Sequence, residues 1–443
     1  MHVFLETYGC QMNEYDSELV RAILKNGSFR MTSTIEDADV VLLNTCAIRE
    51  SAHTRIHGRL GHVRQLKREN PRLIVGVLGC MAQSLKTELL ERHGVVDLVA
   101  GPDAYKRLPR LIHAVCDSGG RGLEIDLSEY ETYSDVYPDR VPGVNAWIAC
   151  MRGCDNFCTF CVVPYTRGRE RSRSPQSVVD EARRLASDGY KQITLLGQNV
   201  NSYRYEDADF ADLLQRVADV DGIQRVRFTS PHPKDFPRRL LHAIASHPNL
   251  CNHVHLPLQA GNDQVLERMR RTYTKQEFYD LVDAIRAIVP GVGLTTDIIC
   301  GFPGETDAAF ADTLEVVQRV QFDSAFVFKY SERPNTIAQR KFEDDVPDAT
   351  KTARVVQVNE VQKAISLRRN RALIGSRREI LIESTSRKSD DDWMGRDDAG
   401  RCVVFPRGDL LVGDMACVEI SAASAKTLLG QAVPAESRHP TPA

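Results

Sequence analysis

The sequence predicts an α/β protein in three parts: an N-terminal parallel α/β domain (residues 1–120), a central partial (β/α)6 barrel (144–368) and a small antiparallel β-barrel (372–434). Three observations predict it. Apolar strand-length runs alternate with helical patterns in two long stretches, and a segment rich in Tyr, Asp, Pro and Gly at 128–143 separates those stretches. Short β-patterned runs broken by glycine then close the chain.

In the first stretch, strands are expected at 3–6, 40–44 and 73–78, with helices at 14–24, at 51–64 and after Gln83. Parallel strands joined by helices deliver their carboxyl ends to one sheet edge, where open α/β folds place their sites. The 128–143 segment reads as an exposed linker. Six strand patterns follow, at 145–150, 192–196, 225–229, 253–256, 294–299 and 323–329, which suits an incomplete barrel better than a closed eight-fold one. A polar helix is expected at 350–367. Strands at 379–383, 402–405 and 415–420, broken by Gly395, Gly400, Gly408 and Gly413, make the terminal barrel. The tail from Pro434, with three prolines in its last ten residues, reads as disordered.

With 443 residues and 42% hydrophobic composition, the chain can bury a core in each of about three domains. The formal net charge is only -3, so any affinity for nucleic acid must be local. The start lacks a basic region followed by an apolar signal core, and no apolar run approaches the roughly 18 residues of a membrane span. A cytoplasmic, non-membrane protein with reduced thiols is the expectation.

Six of the twelve cysteines form two triads. Cys10, Cys46 and Cys80 each follow a predicted strand, at spacings of 36 and 34 residues, about one βα unit. Single cysteines in such places are commonly core thiols. The second triad lies in one loop, Cys154-Asp-Asn-Phe-Cys158-Thr-Phe-Cys161, directly after a strand. Three thiolates so close can wrap three irons of a four-iron cubane, leaving the fourth iron open. A zinc knuckle would pair its cysteines and supply four ligands, and a ferredoxin would add a fourth cysteine downstream; neither pattern occurs near this loop. Cys150, on the preceding strand, reads as a buried small hydrophobe.

The loop triad, with Phe160 before its last cysteine, resembles the cluster motif of the radical S-adenosylmethionine enzymes. That resemblance implies that the open iron chelates S-adenosylmethionine and that the reduced cluster releases a 5′-deoxyadenosyl radical. Two strand ends then become cofactor walls: Leu195-Leu-Gly-Gln-Asn-Val-Asn201, with Gln198 and Asn199, and Asp297-Ile-Ile-Cys-Gly-Phe-Pro-Gly-Glu305, with Asp297 and Gly301. Arg167 is a further candidate for the cofactor. If the segment from Arg167 to Arg173 is extended, Arg167, Arg169, Arg171 and Arg173 share a face suited to phosphate or to a bound carboxylate; a solvated basic loop is the alternative.

The contexts of the spread triad, Tyr8-Gly-Cys10-Gln-Met-Asn-Glu-Tyr, Leu43-Asn-Thr-Cys46-Ala-Ile-Arg-Glu50 and Leu78-Gly-Cys80-Met-Ala-Gln83, resemble the N-terminal domain of the methylthiotransferases. In that family the three cysteines hold a second four-iron cluster that presents or supplies sulfur. The resemblance extends to His255-Leu-Pro-Leu-Gln259 and to a terminal segment like the TRAM RNA-binding domain, with Gly375, Val403-Val-Phe405, Gly413 and Gly430. Ala260, Cys300 and Asp397 depart from the family pattern, and none is an expected cluster ligand.

The resemblance implies two 4Fe-4S clusters, S-adenosyl-L-methionine as radical source and methyl donor, and a tRNA carrying isopentenyladenosine next to the anticodon. Gln11-Met-Asn-Glu-Tyr matches family members acting on that nucleoside; those acting on threonylcarbamoyladenosine carry Lys-Val-Asn-Gln there. A flipped base is implied. Arg368, Arg369, Arg371, Arg377 and Arg378 are the candidate RNA contacts, with Trp393 and Phe405 as stacking faces, although Phe405 on a strand suits a core better. A reductase donor and a monomer complete the expectation. The rival class is a non-catalytic iron-sulfur RNA-binding redox sensor. No role falls to His232, His253 or His255.

Overall fold

The computed structural model describes residues 1–47 and 50–434. The segment at 48–49, just after Cys46, and the tail from 435, expected to be disordered, lie outside the described residues.

The N-terminal part runs β1 (His2–Tyr8), α1 (Gln11–Asn26), β2 (Arg30–Thr32), β3 (Val40–Thr45), α2 (Glu50–Glu69), β4 (Ile74–Gly79), α3 (Cys80–Leu85), α4 (Thr87–Arg92), β5 (Leu98–Ala100), α5 (Leu108–Ser118) and β6 (Gly122–Glu124). Its strands form one parallel sheet in the order β2-β1-β3-β4-β5-β6. β3 (Val-Val-Leu-Leu-Asn-Thr) and β4 are buried along their whole length, as a parallel strand covered on both faces must be. Alternation divides the side chains: Val40 and Leu42 pack with α1 and α5, whereas Val41 and Leu43 pack with α2, α3 and α4.

The central part continues with β7 (Asn145–Ala149), β8 (Met151–Arg152), α6 (Val163–Arg167), β9 (Arg171–Ser172), α7 (Pro175–Ser187), β10 (Gln192–Leu196), β11 (Arg204–Tyr205), β12 (Ala208–Asp209), α8 (Phe210–Ala218), β13 (Arg225–Phe228), α9 (Arg238–Ser246), β14 (His253–His255), α10 (Asp263–Arg268), α11 (Lys275–Ile288), β15 (Gly293–Cys300), α12 (Asp307–Val320), β16 (Ser324–Lys329), α13 (Ile337–Lys341) and α14 (Asp348–Arg371). Two three-stranded parallel sheets, β7-β10-β13 and β14-β15-β16, are joined where Val226 bridges Leu250 and Cys251. Six strands in sequence order make the expected partial barrel. Its β7 edge leans on the N-terminal sheet, where Ala149 and Leu196 enter the same core as α1.

The last part, β17 (Arg377–Ser386), β18 (Ser389–Arg396), β19 (Cys402–Pro406), β20 (Met415–Ala423) and β21 (Leu428–Ala432), closes into a barrel. It is not wholly antiparallel: β19 pairs β21 in parallel through Val403 with Leu428 and Val404 with Leu429, which closes the barrel. Trp393 and Phe405 are both buried in its core, so neither offers a stacking face; Arg407 covers the Trp393 ring at 4.0 Å.

The segment at 128–143 is not a loose linker. Tyr133 is fully buried and its hydroxyl donates to the Pro102 carbonyl at 2.9 Å, while Arg140 pairs with Glu18 and Glu181. The stretch is a strap between the first two parts. No described helix is long and apolar enough to cross a membrane, and none of the twelve cysteines is in a disulfide.

Candidate functional site

Cys10, Cys46 and Cys80 come to one edge of the N-terminal sheet because each stands where a parallel strand ends. Cys10 caps α1, and its carbonyl accepts from Asn13 N and Glu14 N. Cys46 follows β3, its N–H held by the Tyr8 carbonyl at 2.9 Å, and Cys80 opens α3. The turn before Cys80 needs glycine: Gly79 has φ +88°, and a Cβ there would lie 2.4 Å from Asn44 Oδ1. A buried amide pair locks the first two turns together, Asn13 Nδ2 donating to Asn44 Oδ1 (3.2 Å) and Asn44 Nδ2 to the Asn13 carbonyl (2.9 Å). The Cys10 thiol is pulled down to about 5 by its hydrogen bond with Cys46, then by the Arg167 charge, against burial. Burial pushes the Cys80 thiol up, with Arg167 opposing.

The loop triad follows β8. Gly153 has φ +80°, and a Cβ there would lie 1.9 Å from the Arg169 carbonyl, so only glycine turns the chain into Cys154. Cys154 N donates to the Gly168 carbonyl (3.2 Å) and Cys161 N to the Cys158 carbonyl (3.0 Å). Thr159 Oγ1 pins the loop to the Arg268 carbonyl at 2.8 Å. Buried Arg271 points its Nη1 at Cys158 Sγ (3.5 Å), and Val163 N points at Cys161 Sγ (3.5 Å). Burial holds the Cys154 thiol up at about 12 and raises Cys161 further, so each would release a proton on binding metal. Cys150 is fully buried beside the Leu196 carbonyl, as a small core residue.

The triads meet at the contact of α3 with the segment leading into α6. Cys80, Ala47 and Val162 pack as one buried group, with Val162 directly following Cys161. Among the described residues no three Cys, His, Asp or Glu converge on a single metal ion. A cubane does not require that, since each thiolate binds its own iron.

Arg167 lies at this junction, turned away from the expected cofactor role. Its Nε donates to Cys80 Sγ (3.2 Å) and its Nη2 to Asp16 Oδ2 (2.8 Å), all in the interior. Asp16 Oδ1 also accepts from Arg152 Nη2 (2.6 Å), and Tyr105 donates its hydroxyl to Oδ2 (3.3 Å). Nor does the arginine run share a face. Arg171 pairs with Asp103 (2.8 Å), Arg173 with Glu181 (2.6 Å), and exposed Arg169 with Asp155 (3.2 Å). Arg167 ends the short helix α6 and Gly168 follows at φ +72°, so the run is not one extended strand. The run stitches the N-terminal sheet to the barrel instead.

Of the expected cofactor walls, Gln198 Oε1 accepts from Gly153 N (2.6 Å), steadying the cysteine loop. Asn199 donates to Glu170 and Asp235 (both 3.2 Å), and its buried Oδ1 has no partner among the described residues. Gly301, at φ +74°, donates to Glu305 (2.7 Å) and backs onto Lys351. Phe302 meets Phe160 edge to face at 6.5 Å, joining this wall to the cysteine loop. Asp297 Oδ2 is the hydrogen-bond partner of His255 Nε2 at 3.1 Å, and the His255 ring meets half-exposed Phe326. Asp297 and the Asn199 carbonyl are thus the wall groups with atoms left for a ligand.

The C-terminal barrel docks at the amino ends of the central strands, opposite the cysteine loop. Arg227 at β13 donates to the carbonyls of Asp397 (2.6 Å) and Asp398 (3.0 Å), and Asp323, just before β16, accepts from Arg369 (3.1 Å) and Arg401 (2.9 Å). Arg369 is therefore held by Asp323, the same carboxylate that receives Arg401 of the terminal barrel. Arg368, Arg371 and Arg377 are exposed, the last beside Glu419, and Arg378 is half-buried.

Three family models match the chain in succession: the uncharacterized protein family UPF0004 over residues 2–101, the Radical SAM superfamily over 148–317 and the TRAM domain over 371–433. A curated tRNA-2-methylthio-N(6)-dimethylallyladenosine synthase from Chloroherpeton thalassium is 46% identical over 433 residues, covering 97% of this chain and 96% of its own length. The enzyme of that name from Bacteroides fragilis is also 46% identical, over 97% of this chain and 95% of its own. The chain belongs to the tRNA-2-methylthio-N(6)-dimethylallyladenosine synthase family. Among solved structures it shares the fold of the radical S-adenosylmethionine methyltransferase TsrM from Kitasatospora setae, with TM-score 0.59 and 17% identity over 76% of this chain and 77% of that one. Iron-sulfur and S-adenosylmethionine chemistry come with the radical SAM domain.

Within this family member, sequence reasoning missed Asp16, Arg152, Arg271, Glu170 and His255. Asp16 stands six residues after Cys10, one past the Tyr8–Tyr15 motif, and nothing in its local sequence marks it as the partner of two arginines. Arg271 and Arg152 carried no signal either.

Proposed function

We propose that the chain is a tRNA methylthiotransferase converting N6-isopentenyladenosine beside the anticodon to its 2-methylthio form. S-adenosylmethionine would serve as both radical source and methyl donor. The observation that carries this reading is the meeting of the two cysteine triads, Cys80 packing on the residue that follows Cys161 while Arg167 ties its thiol to the barrel. Identity near 45% to synthases of this activity over nearly the whole chain supports the substrate.

Both donor sets fit a four-iron cluster: three thiols each, set by backbone turns, with a buried guanidinium against one sulfur of each set. Cys10, Cys46 and Cys80 would hold the auxiliary cluster and Cys154, Cys158 and Cys161 the radical SAM cluster. When bound, these groups supply electron transfer and sulfur. Asn199 and Asp297 would orient the nucleoside part of S-adenosylmethionine, with Gln198 and Gly301 fixing the loop and wall around it. The working parts fall at residues 1–120, 144–368 and 372–434.

The terminal barrel would bind tRNA through Arg368, Arg371, Arg377 and Arg378. β15 has 8 residues, so at ~3.3 Å each the docking face lies about 26 Å from the carboxyl rim, and the RNA must run along the barrel. A reductase donor, a monomeric state and a cytoplasmic setting complete the reading.

Mass spectrometry of tRNA nucleosides from a deletion strain tests it. The 2-methylthio nucleoside should vanish while isopentenyladenosine accumulates. Loss of a methylthiolated threonylcarbamoyladenosine instead would reassign the substrate, and failure of the reduced protein to form 5′-deoxyadenosine would favour a sensor.

A further inference from the structure

At the junction two buried guanidinium groups meet a single carboxylate. Arg152 and Arg167, both buried, share the one carboxylate of Asp16, so the second charge is left to the Tyr133 ring, 4.6 Å from Arg152, and to the cysteine sulfurs beside Arg167. Three of their N–H-bearing nitrogens, Arg152 Nε, Arg152 Nη1 and Arg167 Nη1, are buried with no partner among the described residues. An uncompensated buried charge with unmade hydrogen bonds is among the costliest arrangements a fold can keep, and a guanidinium cannot escape by losing its proton. Besides Asp16, cysteine sulfur is the anionic partner within reach of Arg167, whose Nη1 still lacks one among the described residues. Cys80 Sγ lies 3.2 Å from Arg167 Nε, and the Cys10 thiol feels the same charge.

We propose that Arg167 is the positioning residue of the N-terminal cluster: Nε holds the Cys80 thiolate, and Nη1 receives an anionic sulfur, either a cluster sulfide or a sulfide carried on the open iron. The assignment rests on the reading that Cys10, Cys46 and Cys80 bind a four-iron cluster. Asp16 and Arg152 fix the guanidinium plane, so the fork meets sulfur in one orientation. Hydrogen bonds and positive charge at cluster sulfur favour the reduced, more anionic state and retain sulfide.

The test uses the full-length chain with Cys154, Cys158 and Cys161 replaced by Ala, so that only the N-terminal cluster remains. Iron content is measured first: about four irons per chain are expected, and none would overturn the two-cluster reading itself. In protein labelled with 15N-arginine, electron-nuclear double resonance of the reduced cluster should show a 15N coupling that disappears in Arg167→Lys. The midpoint potential of Arg167→Gln should fall by about tenfold in the reduction equilibrium, roughly 59 mV for one electron. Titration with sodium sulfide should show weaker binding in both variants. Four irons with no arginine coupling would overturn the inference. Should Arg167→Gln fail to fold, the labelled parent and Arg167→Lys still decide.

Discussion

A buried carboxylate shared by two arginines makes a sharp prediction at the scale of one residue. Replacing Asp16 by Ala leaves Arg152 and Arg167 charged and unpaired in the interior, which costs about 3–5 kcal/mol. Urea unfolding followed by circular dichroism should show that loss; a loss below about 1 kcal/mol would mean the arginines relax to solvent. His232 gives a pH prediction of defined sign. Burial first, then the charges of Arg271 and Lys234, pushes its imidazole down to about 2. The unfolded chain takes up a proton near 6.5 that the folded protein refuses, so stability present above that value is lost as pH falls below it. Buried His253 is shifted in the same direction. Thermal melting from pH 7.5 to 5.5 should fall less steeply in His232→Asn than in the parent; parallel curves would contradict the assignment.

At the scale of elements, the turns that aim the cysteines are the vulnerable points. A side chain at Gly153 meets the Arg169 carbonyl at 1.9 Å. Gly153→Ala should therefore lose the iron of the loop triad while the N-terminal triad, aimed by Gly79 and the Asn13–Asn44 pair, keeps its own. Iron analysis of the purified variant checks this, and retention of all the iron would show that the loop rebuilds. What the chain announces locally was legible at this scale. The CxxxCxxC loop follows a strand within a few residues, and β3 and β4 read directly as short, continuous apolar runs. What depends on distant partners was not. Arg167 finds Asp16 across 151 positions, and nothing in its neighbourhood distinguishes it from exposed Arg169 two residues on. Tyr133 lies in a stretch whose composition reads as linker, yet its contacts with Pro102 and Tyr105 make it core.

For the whole molecule, the cysteine loop and the terminal barrel lie at opposite ends of the central strands, which under the proposed function separates the chemistry from the RNA contacts. The order of three parts could be read along the chain, but their docking could not, because Asp323 and Arg227 hold the terminal barrel through Arg401 and main-chain carbonyls. Asp323→Ala should weaken tRNA binding several-fold while formation of 5′-deoxyadenosine from S-adenosylmethionine without tRNA stays unchanged. Filter binding and a nucleoside assay measure the two; a parallel loss of both would mean that the terminal barrel supports the catalytic rim. The central claim is that two trios of thiolates each carry a cubane at a shared junction. Iron counting with Mössbauer spectroscopy, on the parent and on two variants each lacking one triad, tests it most directly. The account predicts about eight irons in the parent and about four, as a four-iron cluster, in either variant. All the iron lost with the Cys154, Cys158 and Cys161 triad, or none lost with Cys10, Cys46 and Cys80, would contradict it.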